Sequence, residues 1–218
     1  GVMIKKLALI IGFIICLSSC GKDYVYRIEG ELSNLEDQTV YAVFEKDNYK
    51  VVDTVARTKP GQFQIDQHEA GFHCVTIFFA DKEHWVTAYL EPGETVKITG
   101  DANSPLLLQV KGGRTNDKLT AFKKKIAPLL TELTNLSNSL NSKDLNDTIE
   151  ETDIAARLAN VNMQLSEEAI RYVKENPNEE ASVVLIQSFF SDPDDTRKID
   201  ELLALLRSEE HTSELQSR

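Results

Sequence analysis

No Cys-x-x-Cys pair occurs in this sequence, which removes dithiol oxidation and reduction by this chain's own residues. Cysteine is scarce altogether: Cys16, Cys20 and Cys74 are the only three. No apolar run reaches the ~20 residues a helix needs to cross a hydrocarbon core. Positive charge is also short, with 24 Lys and Arg against 35 Asp and Glu and a net charge of −11. Such a surface repels a phosphate backbone, so nucleic acid is not an expected partner. The one dense basic run, Lys123-Lys124-Lys125, reads as a solvated helix face. Histidine is rare, and His68 and His73 stand five apart across Ala70-Gly71, whereas a zinc-protease helix needs four. His84 beside Trp85 reads as a strand-edge residue rather than a ligand. Asp192, Asp194 and Asp195 lack the loop length and terminal Glu of a calcium site. Lys111-Gly112-Gly113-Arg114-Thr115 is too short for a phosphate loop and lacks its Gly-Lys-Thr end. Accordingly no catalytic residue, no metal ligand and no cofactor is expected.

What is present begins at Met3. Lys5-Lys6 gives a positive start, Leu7 to Ile15 an apolar run broken only by Gly12, and Ser18-Ser19 small residues before Cys20. That is the three-part layout of a secretory signal. Leu17-Ser18-Ser19-Cys20 resembles a bacterial lipobox, whose cysteine becomes the lipid-modified first residue of the mature chain. Cys20 is therefore the expected lipidation site, and residues 1–19 the signal. Each buried methylene of an acyl chain contributes about 0.8 kcal/mol to membrane binding, and several chains together give a stable anchor. Residues 20–23 would form a short tether, leaving the chain lipid-anchored in the cell envelope and facing the periplasm. Cys74 then stands alone in Phe72–Phe79, a strand-like apolar run, and reads as an inert buried thiol.

The fold class expected is α+β: an antiparallel β-sandwich or open barrel of about eight strands, then about four helices. Alternation of period two runs through Tyr24-Tyr26-Ile28 and Val40-Ala42-Phe44, then Tyr49–Ala56, Gln62–Asp66, Phe72–Phe79, His84–Leu90, Thr95–Thr99 and Leu106–Lys111. Turn signals separate these runs, among them Lys59-Pro60-Gly61, Pro92-Gly93 and Asp101–Pro105. Phe78 and Phe79, being adjacent, must point to opposite faces. Tyr24, Tyr26, Tyr41 and Trp85 could stack on a sugar, but at strand spacing they read first as core.

The order of these signals resembles a small β-domain found in envelope lipoproteins of Bacteroidota, the domain of unknown function numbered 4369. The stretches that carry it are Tyr26-Arg27-Ile28-Glu29-Gly30, Asp53-Thr54, Gly61-Gln62-Phe63, Tyr89–Gly93 and Gly112–Asn116. The resemblance covers roughly Tyr24 to Phe122. It implies a non-catalytic module ahead of a thioredoxin-like domain of thiol–disulfide or peroxiredoxin type, with Asp53 and Thr54 in a structural role.

Beyond the strands, Leu119, Phe122, Ile126, Leu129, Leu133, Leu136 and Leu140 form one helical stripe. A coiled-coil dimer is one reading. A helix packed within its own chain is favoured, because Pro128 interrupts the run. A capping box at Thr148–Glu151 opens a second stripe from Ile154 to Tyr172, and the short connection implies a helical hairpin. Asn178 would cap a third helix with Val184, Leu185 and Phe189 inward, and Ile199, Leu202, Leu203 and Leu206 mark a fourth.

The domain plan is then a β-domain over 24–113, a helical segment over 114–206 and a tail over 207–218. The tail, Arg207 to Ser217, resembles the conceptual translation of a sequencing-library adapter, which implies a longer natural chain. The expected role is the lipid-anchored, non-catalytic N-terminal module of an envelope thiol–disulfide oxidoreductase. The alternative is a stand-alone envelope lipoprotein that binds a glycan or a protein partner through its β-domain. The expected partners are the membrane, through lipid on Cys20, and an envelope protein.

Overall fold

The computed structural model describes residues 23–35, 39–55, 57–79, 84–142 and 148–189. Cys20, the signal, the stripe at Ile199–Leu206, Asp192–Asp195 and the tail lie outside the described residues. The capping-box stretch Thr148–Glu151 forms the first turn of a helix, with Glu150 and Glu151 as its acidic residues.

Among the described residues nine strands are seen: β1 Tyr26–Ser33, β2 Tyr41–Lys46, β3 Tyr49–Thr54, β4 Arg57–Lys59, β5 Gln62–Gln67, β6 Cys74–Phe78, β7 Trp85–Tyr89, β8 Thr95–Asp101 and β9 Gln109–Lys111. They form two sheets, ordered β4-β5-β1-β8-β9 and β3-β2-β6-β7. Side chains from both sheets share one buried core, so the architecture is a sandwich and not a barrel. Alternation does what period two demands. Tyr26, Ile28 and Leu32 of β1 point inward with Phe63 and Ile65 of β5, against Ala42 and Phe44 of β2 and Val75 and Ile77 of β6.

Two expectations need correction. The sandwich is not wholly antiparallel, since β1 pairs with β8 in parallel from Arg27↔Thr95 to Ser33↔Asp101. After β5 the chain crosses to the second sheet for β6 and β7, and it returns beside β1 running the same way. Hydrophobic alternation encodes which face is buried and carries no information on direction. The run Leu106–Lys111 is strand only in its second half: Pro105–Leu107 makes a 3-10 turn and β9 is three residues long.

Gly30 shows how tightly the core is built. It lies opposite Phe63 in the β1–β5 ladder, and an added Cβ would sit 2.2 Å from the Phe63 ring. The outer side of the same ladder carries Arg27, whose guanidinium grips Asp66 through two bonds of 2.6 and 2.8 Å and lies 4.0 Å from the Tyr24 ring centre.

Four helices follow: α1 Arg114–Lys125, α2 Ala127–Asn141, α3 Thr148–Glu175 and α4 Glu180–Phe189. The stripe from Leu119 to Leu140 is split between α1 and α2 at Ile126, whose ψ of 12° leaves the helical region. Pro128 in the first turn of α2 has no N–H to continue the ladder, which is why the break falls there. Both halves of the stripe pack within this chain, against Ile154, Val161, Leu165 and Ala169 of α3 and Leu185 and Ile186 of α4. No helix among the described residues is long and apolar enough to cross a membrane.

Candidate functional site

α1 joins the two halves through polar residues that the chain buries. Asn116 is 2% exposed. Its side-chain oxygen accepts the Tyr89 N–H at 2.8 Å, and its amide nitrogen donates to the Tyr89 and Gly112 carbonyls at 2.7 Å each. One turn later, the Thr120 hydroxyl accepts the Val110 N–H at 3.1 Å and donates to the Val110 carbonyl at 2.6 Å. Tyr89 ends β7, the edge of the second sheet, and Val110 lies in β9, the edge of the first. One helix face therefore satisfies an open edge of each sheet, as a neighbouring strand would.

The entry to α1 is equally committed. Gly112 and Gly113 have φ of 111° and 83°, a left-handed bend that only glycine takes without strain. The Gly112 N–H donates to Asp117 and the Arg114 N–H to Glu91. Carboxylates of the chain itself thus hold the amides that a phosphate would need.

Where α1, the 3-10 turn, β7 and the other helices meet, they leave a cavity of about 690 Å³. Its walls are mostly apolar, with Leu119 and Phe122 from α1, Leu133 from α2, Leu165 from α3 and Leu185 from α4. Trp85 and Leu106 line it while remaining 54% and 41% exposed, so they mark its mouth. Among the described residues, Lys123 is the only charged one in its lining. The ammonium has no hydrogen bond or ion pair among the described residues, and burial draws its pKa below the ordinary lysine value. Lys123 is therefore half-buried at the cavity wall, not on the solvated face that the basic run implied.

The outer face of the second sheet continues from this mouth. Tyr41, Phe78 and Trp85 occupy one cross-strand row over β2, β6 and β7. Phe78 lies on this face and Phe79 in the core, as their adjacency requires. Tyr26 is not part of the row: it is 1% exposed inside the sandwich, and its hydroxyl accepts the Gly71 N–H. Cys74 also lies on the outer face and is half-buried, a correction to the buried position expected of it. The alternation of β6 gives the core to Val75 and Ile77 and leaves Cys74 beside Tyr89. Burial, then Glu45, pushes the thiol pKa up, which disfavours the reactive thiolate. Burial likewise pushes the Tyr89 hydroxyl up to about 12.

Residues 26–119 match the family model of a domain of unknown function, DUF4369. The chain matches none of the curated proteins and none of the solved structures. The DUF4369 stretch takes in both sheets and the first half of α1, including Asn116. Of the stretches on which the resemblance in sequence rests, Gly30 receives the Phe63 ring and Tyr89–Gly93 leads from the β7 edge into a turn. Gly112–Asn116 builds the bend and the clasp on Tyr89. Asp53 and Thr54 differ: neither side chain makes a hydrogen bond among the described residues, and they sit on the edge strand β3, opposite Ala42 and Tyr41. His73 stands at the start of β6 with its Nε2 3.3 Å from Asp47, and no group of three metal-binding side chains occurs among the described residues.

A polar knot ties α1 to the end of α3 and the start of α4. The Tyr172 hydroxyl donates to Glu179 at 2.5 Å, Lys118 lies 3.2 Å from the other Glu179 oxygen, and Thr115 donates to Glu180. The Tyr172 bond, then Lys118, holds the Glu179 carboxyl below its ordinary value of 4.5. Stability from this group is present above pH 4.5 and is lost as pH falls through its depressed pKa. Glu179→Gln should therefore melt below the unmodified chain at pH 7, with the gap narrowing as pH falls from 4.5 through the depressed pKa. A gap that does not narrow at any pH below 4.5 at which the chain still folds would contradict this.

Proposed function

We propose that this chain is the lipid-anchored, non-catalytic front module of a cell-envelope protein of thiol–disulfide type, facing the periplasm. Cys20 carries the lipid, residues 20–23 tether the body, and in the natural gene product a thioredoxin-like domain follows the helical segment that ends at Leu206, in place of the adapter-like tail. The observation that supports a binding or positioning role is the cavity between sheet and helices, which has the size and apolar lining of a ligand site. The DUF4369 match supports the module reading, and the lysine pair, apolar run and Ser-Ser-Cys order support the anchor. The test is to grow cells expressing the gene with labelled fatty acid. Label should enter the unmodified protein and be lost in Cys20→Ala; equal label in both would overturn the anchor.

The second reading, a stand-alone envelope lipoprotein binding a glycan or a protein, is favoured by the outward row of Tyr41, Phe78 and Trp85. Aromatic rows of this kind suit sugar faces and protein contacts alike. Long-read sequencing of the locus separates the two. An open frame running on to a Cys-x-x-Cys domain supports the first reading, and a genomic stop codon directly after Arg218 supports the second.

A further inference from the structure

We propose that the cavity between the second sheet and the helices binds an anionic amphiphile, an apolar chain ending in a carboxylate or phosphate, with the head group at Lys123. The inference deepens the binding-module reading and rests on it. Three observations carry it. The volume, about 690 Å³, lies within the range of small-molecule sites. The lining is apolar over Leu119, Phe122, Leu133 and Leu165, and Trp85 and Leu106 stand exposed at the mouth, where an entering chain first meets apolar surface. Among the described residues Lys123 is the one charge in that lining, no carboxylate lines the cavity, and the ammonium has no partner. An ammonium against apolar walls is costly unless it is paired, so an anion reaching it relieves that cost while its tail covers apolar surface.

Several polar side chains of the lining are engaged within the fold, whereas Asn162 and Ser166 add neutral polar groups and Lys123 supplies the charge that an anionic head group needs. Asn116 and Thr120 hold the strand edges, and the Ser188 hydroxyl donates to the Val184 carbonyl. The neighbouring carboxylate Glu168 is taken by Lys125 and Arg171.

Trp85 is the only tryptophan in the chain, so its emission reports occupancy of the mouth. The full chain is titrated with dodecanoate, dodecyl phosphate, dodecanol and dodecyltrimethylammonium at pH 7.5. Saturable one-to-one binding with a blue shift of Trp85 emission is expected for an anion-headed probe, and at least tenfold weaker binding for dodecanol and the ammonium. Comparison of the two anions tells which head the site prefers. Lys123→Met should weaken the anion at least tenfold, leave dodecanol unchanged and melt no lower than the unmodified chain; Lys123→Arg should keep most of the anion affinity. Dodecanol binding as tightly as both anions, anion binding undiminished in Lys123→Met, or no saturable binding would each overturn the proposal. Fatty-acid labelling at Cys20 reads the anchor separately. Normal labelling without probe binding removes the site alone, and probe binding without labelling removes the anchored-module reading alone.

Discussion

Asn116→Leu should cost this protein about 3–5 kcal/mol, the largest effect expected of any single side chain described. The leucine fits the volume but strands the Tyr89 N–H, the Tyr89 carbonyl and the Gly112 carbonyl, all of which now bond to Asn116. Each buried polar group left without a partner costs about 1–3 kcal/mol. For a domain of this size, the loss amounts to a fall of roughly 10 °C in the melting midpoint. Asn116→Asp, nearly identical in shape, should be as harmful at pH 7. It keeps the acceptor for Tyr89 but turns a carboxylate toward two carbonyl oxygens. Thermal scans of the full chain with both variants decide the matter; shifts under about 2 °C would mean that water replaces the amide and the clasp is dispensable.

Gly112→Ala should be comparably severe for a different reason. A Cβ there would lie 2.1 Å from the Thr95 carbonyl oxygen, and that atom belongs to the backbone of β8 and has no rotamer to escape into. The φ of 111° adds strain that a side chain cannot relieve. Strained backbone costs roughly 1–3 kcal/mol and overpacking about as much again. Gly93→Ala is the control, since its φ is also positive at 84° but nothing lies within 4 Å of an added Cβ. The expected order is a small loss for Gly93→Ala and a loss of about 3 kcal/mol or more for Gly112→Ala, read from chemical denaturation midpoints. Equal losses would show that conformation alone matters and the Thr95 contact does not.

The faces of the strands were legible because burial alternates with period two, and Tyr26-Ile28 and Ala42-Phe44 display it plainly. The helix break at Pro128 was legible because a missing N–H is a local fact. Strand direction was not, because the parallel β1–β8 pair depends on the path through β6 and β7. The four helices now described also divide the chain differently from the reading of the sequence, since one long stripe supplies two of them and the stripe at Ile199–Leu206 lies outside the described residues.

The site was hidden for a related reason. Its walls come from α1, α2, α3, α4 and β7, and in sequence Leu119, Phe122 and Leu133 look like an ordinary seam between helices. Asn116 stood out only as the end of the Gly112–Asn116 stretch, and Thr120 not at all. Their signal was position, because they recur four apart and Thr120 stands next to Leu119, on the helix face that goes inward. Lys123 was grouped with Lys124 and Lys125, although only it shares that face; its two neighbours are exposed.

The clasp of α1 on both sheets also bears on where this polypeptide can be cut. A fragment ending at Gly113 would keep every strand yet lose both Asn116 and Thr120. β7 and β9 would then offer bare N–H and carbonyl groups to any other copy in solution, the arrangement from which intermolecular sheets and insoluble aggregates grow. The same exposure arises during synthesis, when the strands have emerged and residue 120 has not. The β7 and β9 edges are thus covered only once the first helix has closed over them.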